Sequence, residues 1–168
     1  ASATRSARSE FPTVALIVAD SAGNGSVTIY DLDDPAMPMW MVFNSEASGD
    51  ANHYWTYGTA TSIAALNGTI VVGKTSAGGS CEFRFAEDVT RNNGTSGTNH
   101  MLGGIADRNS GLGWGTVDAS RVTVNNQHND VAMTVLEGAE IGALGLPIPT
   151  VAVATAGGVS VIHPNGDV

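Results

Sequence analysis

Apolar positions along this chain recur at every second residue, in short runs broken by glycine and proline. Three such runs follow one another between Asn129 and Val168. NDVAMTVL sets Val131, Met133 and Val135 against small or polar neighbours. PTVAVATA does the same with Val151 and Val153, and VSVI follows a Gly157-Gly158 step. Pro149 opens the second run at a strand start, where a missing N–H costs least. Period-two alternation gives a strand one apolar face, and Gly or Pro between runs supplies the turn. The stretch predicts three antiparallel strands joined as a meander.

The same pattern recurs upstream. PTVALIVAD, a Gly23-Asn24-Gly25 turn, SVTIYDL, and MWMVFN after Pro35 and Pro38 predict three strands between Phe11 and Asn44. TSIAAL, TIVVGK and CEFRFAED predict three more, with Asn67-Gly68 and Gly78-Gly79 as their turns. Asn-Gly between alternating runs is the strongest short hairpin signal. HMLGGIAD reads as a fourth strand of this group. Arg91 to Asn99 is polar and Gly-rich and reads as a loop, and Arg108 to Gln127, with Trp114 inside GLGWG, reads as irregular. No long segment carries an apolar period of about 3.6 residues, so helices are minor.

Three self-similar units of three or four strands predict an all-β repeat architecture, and antiparallel units of this kind point to a β-propeller. Residues 1–10 read as a flexible lead-in, and residues 11–168 as one domain of about three blades with incomplete ends. Closing a ring then takes a longer parent chain or several copies, of which two is the simplest closed solution. A single β-sandwich of roughly 10 to 12 strands is the alternative.

Composition narrows the partners. The 168 residues suit one domain with a real core. Sixteen acidic residues against 7 basic ones give a net charge of −9, which argues against nucleic acid, whose affinity rests on Lys and Arg. The single cysteine, Cys81, excludes an internal disulfide framework and reads as a small strand residue. The longest apolar run, Val14 to Ala19, falls far short of the roughly 20 residues of a membrane helix. No charged-then-apolar leader precedes it.

Candidate chemistry is sparse. Gly68 to Thr75 matches G-x-x-x-x-G-K-[ST], but phosphate binding needs a compact loop followed at once by a helix. Here Ile70, Val71 and Val72 favour an extended strand and Ser-Ala-Gly-Gly follows, so the match predicts a strand. Asp31, Asp33 and Asp34 are spaced closely enough for calcium, yet lack the Gly and distal Glu of an EF-hand; they read as a solvated turn. His53, His100, His128 and His163 lie far apart, without zinc-site spacing. No cofactor, metal or catalytic residue is expected. Tyr54, Trp55 and Tyr57, beside His53 in the polar loop Glu46–Ala60, and Trp114 among glycines are the candidate binding residues. Exposed aromatic planes stack on sugar rings or anchor a protein partner, and the competing use of these side chains is to cap the sheet core. Asn24, Asn67 and Asn93 open glycosylation patterns that double as Asn-Gly turns.

The strand, Gly-rich turn, strand order of NDVAMTVL…PTVAVATAGGVSVI resembles WD-repeat and related propeller families, without their His and Trp-Asp signatures. MWMVFN, GIADRNSGLGW and the last forty residues resemble propeller regions of large marine phage proteins, virion or tail components. The likeness covers most of residues 11–168 and carries no catalytic residue. It implies a non-enzymatic structural or binding module, in a virion or outside the cell. The implied partners are other copies of itself, neighbouring virion proteins or a host surface glycan. The alternative is a glycan-acting hydrolase with acids such as Asp31, Asp33 or Asp107 at the propeller's centre.

Overall fold

Alternating runs become strands almost wherever the sequence places them. A computed structural model describes residues 11–21, 25–44, 59–75, 79–110 and 112–168. The lead-in and the sequon at Asn24 lie outside them. Three strands, β1 (Ala15–Asp20), β2 (Ser26–Asp31) and β3 (Met39–Asn44), form a first sheet in that order. A central sheet runs β4 (Ala60–Leu66), β5 (Thr69–Lys74), β6 (Ser80–Arg84), β7 (Val89–Gly94), β8 (Gly97–Met101) and β9 (Trp114–Asp118). The last sheet is β10 (His128–Thr134), β11 (Thr150–Thr155) and β12 (Gly158–Ile162). Every ladder pairs sequence neighbours antiparallel, and none of the three sheets closes on itself. The protein is all-β, with one short 3₁₀ turn (Ile105–Asp107) among the described residues.

Two expectations are corrected here. Arg91–Asn99 is not a loop: it forms most of the β7–β8 hairpin, turning after Asn93-Gly94. The strands escaped the apolar pattern because their inward residues are polar. Thr90, Asn92, Asn93 and Thr98 are all buried. The irregular region from Arg108 likewise contains β9, paired to β8 across a register shift.

The β5 strand explains the layering. It is buried on both faces along its whole length. Ile70 and Val72 pack with Val27, Ile29, Trp40 and Phe43 of the first sheet and with Cys81 and Phe83 of β6. Val71, pointing the other way, packs with Val131, Val151, Val153 and Ile162 of the last sheet. The first and last sheets therefore cover opposite faces of the central one, and each sealed aliphatic or aromatic side chain contributes about 2 kcal/mol of burial. Phe43 and Phe83 meet at 4.2 Å between ring centroids, and Phe11 bridges Trp40 at 5.1 Å and Phe85 at 5.0 Å.

Side chains close the remaining seams. Arg108 Nε and Asn109 Nδ2 both donate to the carbonyl of Val42, at 2.7 and 3.2 Å, and Asn44 N donates to Asn109 Oδ1 at 2.8 Å. These bonds occupy the free edge of β3, which would otherwise present unpaired backbone. On the other side, Thr61 Oγ1 donates to the His128 carbonyl at 2.6 Å and Ser62 Oγ donates to the Asp130 carboxylate, tying β4 to β10.

Candidate functional site

Strand alternation sorts the chemistry-bearing residues by face. On β6, Cys81 and Phe83 face the first sheet, so Ser80, Glu82 and Arg84 face the last. Arg84 Nε donates to Glu82 at 2.6 Å, while its Nη1 reaches Glu87 at 3.0 Å and the Pro164 carbonyl at 3.3 Å. Burial opposes the Arg84 charge, but Glu82 and Glu87 outweigh it and its pKa rises. Asn93 Nδ2 donates to Glu82 at 3.4 Å, and Asn93 Oδ1 accepts from Thr98 Oγ1 at 2.8 Å. Arg91 is pushed down, first by burial and then by the neighbouring Arg84. These groups hold sheets together; ions sealed in this way cost several kcal/mol unless paired.

The opposite face carries a second buried polar row. Lys74 Nζ donates to Cys81 Sγ at 3.0 Å, Cys81 donates to Asn92 Oδ1 at 2.7 Å, and Asn92 Nδ2 reaches Met101 Sδ at 3.6 Å. Lys74 is the lysine of the phosphate-loop pattern, and it lies within a strand, fully buried. The pattern is a strand, as its branched residues predict. Asp33 accepts from the backbone of Thr13 and Val14, Asp31 from Asp33 N, and Asp34 from Ala36 N, as turn-forming acids do. Asp107 accepts from Gly104 N at 3.2 Å, in a different turn. Asn67 Nδ2 donates to the Pro147 carbonyl at 2.8 Å. With Asn93 also bonded inside, both described sequon asparagines have structural duties.

Of the four candidate binding residues, Tyr54, Trp55 and Tyr57 lie outside the described residues. Trp114 opens β9, with its backbone opposite Met101.

The structure adds a site that the sequence reading missed. Antiparallel pairing puts the end of β10, the start of β11 and the end of β12 at one end of the last sheet. Two tight turns meet there. One is closed by Ala139 N donating to the Leu136 carbonyl at 3.1 Å, the other by Gly166 N donating to that of His163 at 2.8 Å. Between them lies an open groove of about 310 Å³, lined by Leu136, Glu137, Glu140, Thr150, His163 and Pro164 among others. The Thr150 hydroxyl is buried there without a hydrogen-bond partner. Asn165, also at the groove, is satisfied by Asp167 through both its amide atoms. The groove's lining runs from Leu136 to Asn165, so only the meander register could have joined its two ends.

No protein-family model matches the chain, and no curated protein or solved structure matches it either.

Proposed function

We propose that the chain is a non-enzymatic structural and binding module that assembles with a second copy of itself. The observation that carries this reading is a row of apolar side chains across the outer face of each flanking sheet. On the first sheet the cross-strand row Leu16, Tyr30, Met39 points away from the core, with Leu16 47% and Met39 39% exposed. On the last sheet the corresponding row is Ala132, Ala152, Val161, beside a Val159 that is 64% exposed. A free-standing antiparallel sheet turns polar residues to water on its outer face. These two rows do the reverse, beside polar neighbours such as Asp20, Thr28 and Thr134 on the same faces, in a chain whose net charge is −9.

The faces also suit each other. One offers long side chains, the other mostly alanines with a valine ridge, so the first sheet of one copy fits the last sheet of the next. Three strands of about six residues give each face on the order of 300 Å². One such contact is small beside the ~800 Å² per partner of a stable interface. A two-copy ring makes the contact twice, and so approaches that size; this closed arrangement is the one we favour. Propeller blades pack face to face as sandwich layers do, so the open stack of three sheets serves either description until the ring is completed. A phage particle or other extracellular assembly suits a rigid module of this kind. Tyr54, Trp55, Tyr57 and Trp114 would then serve as its contacts to a glycan or protein.

Light scattering after size exclusion tests the assembly. We expect a dimer whose fraction grows with concentration, and a monomer for either Leu16→Glu or Val161→Glu, since opening one contact opens the ring. A wild-type chain that stays monomeric at millimolar concentration would sink the proposal. Long polymers would replace the ring by an open stack.

A further inference from the structure

The groove between the Leu136–Ala139 and His163–Gly166 turns differs from the outer faces in its chemistry. Two acidic residues, Glu137 and Glu140, line it, together with His163. Thr150, only 5% exposed, lines it too, with a buried hydroxyl that no group among the described residues engages. A buried hydroxyl left unmade costs about 1–3 kcal/mol, so it marks a place where a partner group is missing. No Lys or Arg is among the lining residues. Two guanidinium groups reach the turn that carries Pro164 and Gly166, and both are held: Arg84 by Glu82, Glu87 and the Pro164 carbonyl, and Arg121 by Asp118 at 3.0 Å, with Asp167 at 3.8 Å. Leu136 and Pro164 give apolar walls alongside the acids.

From this set we infer that the groove receives a basic side chain, a lysine or arginine presented by a protein partner. The aliphatic stem lies against Leu136 and Pro164, as long cationic side chains lie on apolar surface. The charged head meets Glu137 and Glu140, above the sealed Thr150 hydroxyl. A neutral sugar would match the acceptors but not the negative charge. The excess of 16 acidic over 7 basic residues steers cations toward the chain as a whole. The inference deepens the proposed binding role and rests on it; the groove lies at the end of the same sheet whose outer face carries Ala132, Ala152 and Val161.

The probe is Nα-acetyl-lysine methylamide, followed by ¹⁵N-resolved NMR on the intact chain. Its controls are the uncharged acetyl-norleucine analogue and maltose. We expect saturable shifts confined to residues 136–140, 150 and 163–166 with the lysine probe. They should weaken about threefold for each of Glu137→Gln and Glu140→Gln, and fade with added salt. An equal response to norleucine makes the groove an apolar slot, and a response to maltose alone makes it a polyol site; either overturns the inference, as does no response to any probe. Light scattering of Glu137→Gln keeps the two proposals separable. It should dimerise as the wild type does, so loss of lysine binding with assembly intact indicts the groove alone.

Discussion

His128 is sealed between β10 and the central sheet, with Nε2 3.2 Å from Thr123 Oγ1 and Nδ1 buried without a partner. Burial is the main force lowering its pKa, to about 4; the Asn125 carbonyl pulls the other way and the Lys74 charge adds to the lowering. The folded chain therefore carries a neutral imidazole where the unfolded chain takes up a proton near pH 6.5. Stability contributed by the neutral form is complete above the unfolded value and is lost as pH falls toward 4. The loss should reach roughly 3 kcal/mol. His100, depressed by burial first and then by Arg91, acts with the same sign. The Asp118 and Asp130 carboxylates, lowered chiefly by the Ser120 and Ser62 side chains, add their share below their ordinary range, outside this window. Urea unfolding at intervals from pH 7 to 4 will measure the slope. His128→Leu should remove most of it while lowering the plateau, and an unchanged slope would assign the effect elsewhere.

At the scale of the element, turns were legible and polar strands were not. Asn67-Gly68 predicted a hairpin, and both residues take positive φ, 50° and 74°, as the tight turn between β4 and β5 requires. The β10–β12 meander was legible for the same reason: its apolar residues alternate and its breaks are Gly and Pro. The β7–β8 hairpin was hidden because its buried face bonds instead of packing. Asn93 binds Glu82 and Thr98, and Asn92 binds Cys81, partners that only the folded register supplies. The groove was hidden for a related reason, since turns separated in sequence carry no shared periodicity. Gly79 tests how tightly the polar hairpin is set. It has φ 62°, and a Cβ there would run into the Asn93 carbonyl and come within 2.8 Å of His128 Cε1. Gly79→Ala adds left-handed strain of about 1–2 kcal/mol to a backbone collision. We expect a loss of at least about 2 kcal/mol in denaturant unfolding. A neutral outcome would mean that the β6–β7 pairing yields easily.

Across the whole molecule, the central sheet belongs to both cores. The first sheet rests on Ile70, Val72 and Phe83, and the last on Val71, so neither outer layer has a core without β5. Losing one layer exposes half of the central sheet but leaves the other half packed. Stability should accordingly be graded across the molecule, highest where both faces are covered. Native-state hydrogen exchange reads this directly. Amides of β5 and β6, buried on both faces, should exchange only through global unfolding, with the full 5–15 kcal/mol typical of a domain. Amides of β1 and β12, at sheet edges with exposed outer residues, should open locally at much lower cost. Assembly sharpens the test, because dimerisation through those outer faces should raise protection in β1 and β12 as concentration rises and leave β5 unchanged. Protection that is uniform across all three sheets would instead describe a single indivisible core, and would deprive the outer faces of the independence that a stacking interface uses.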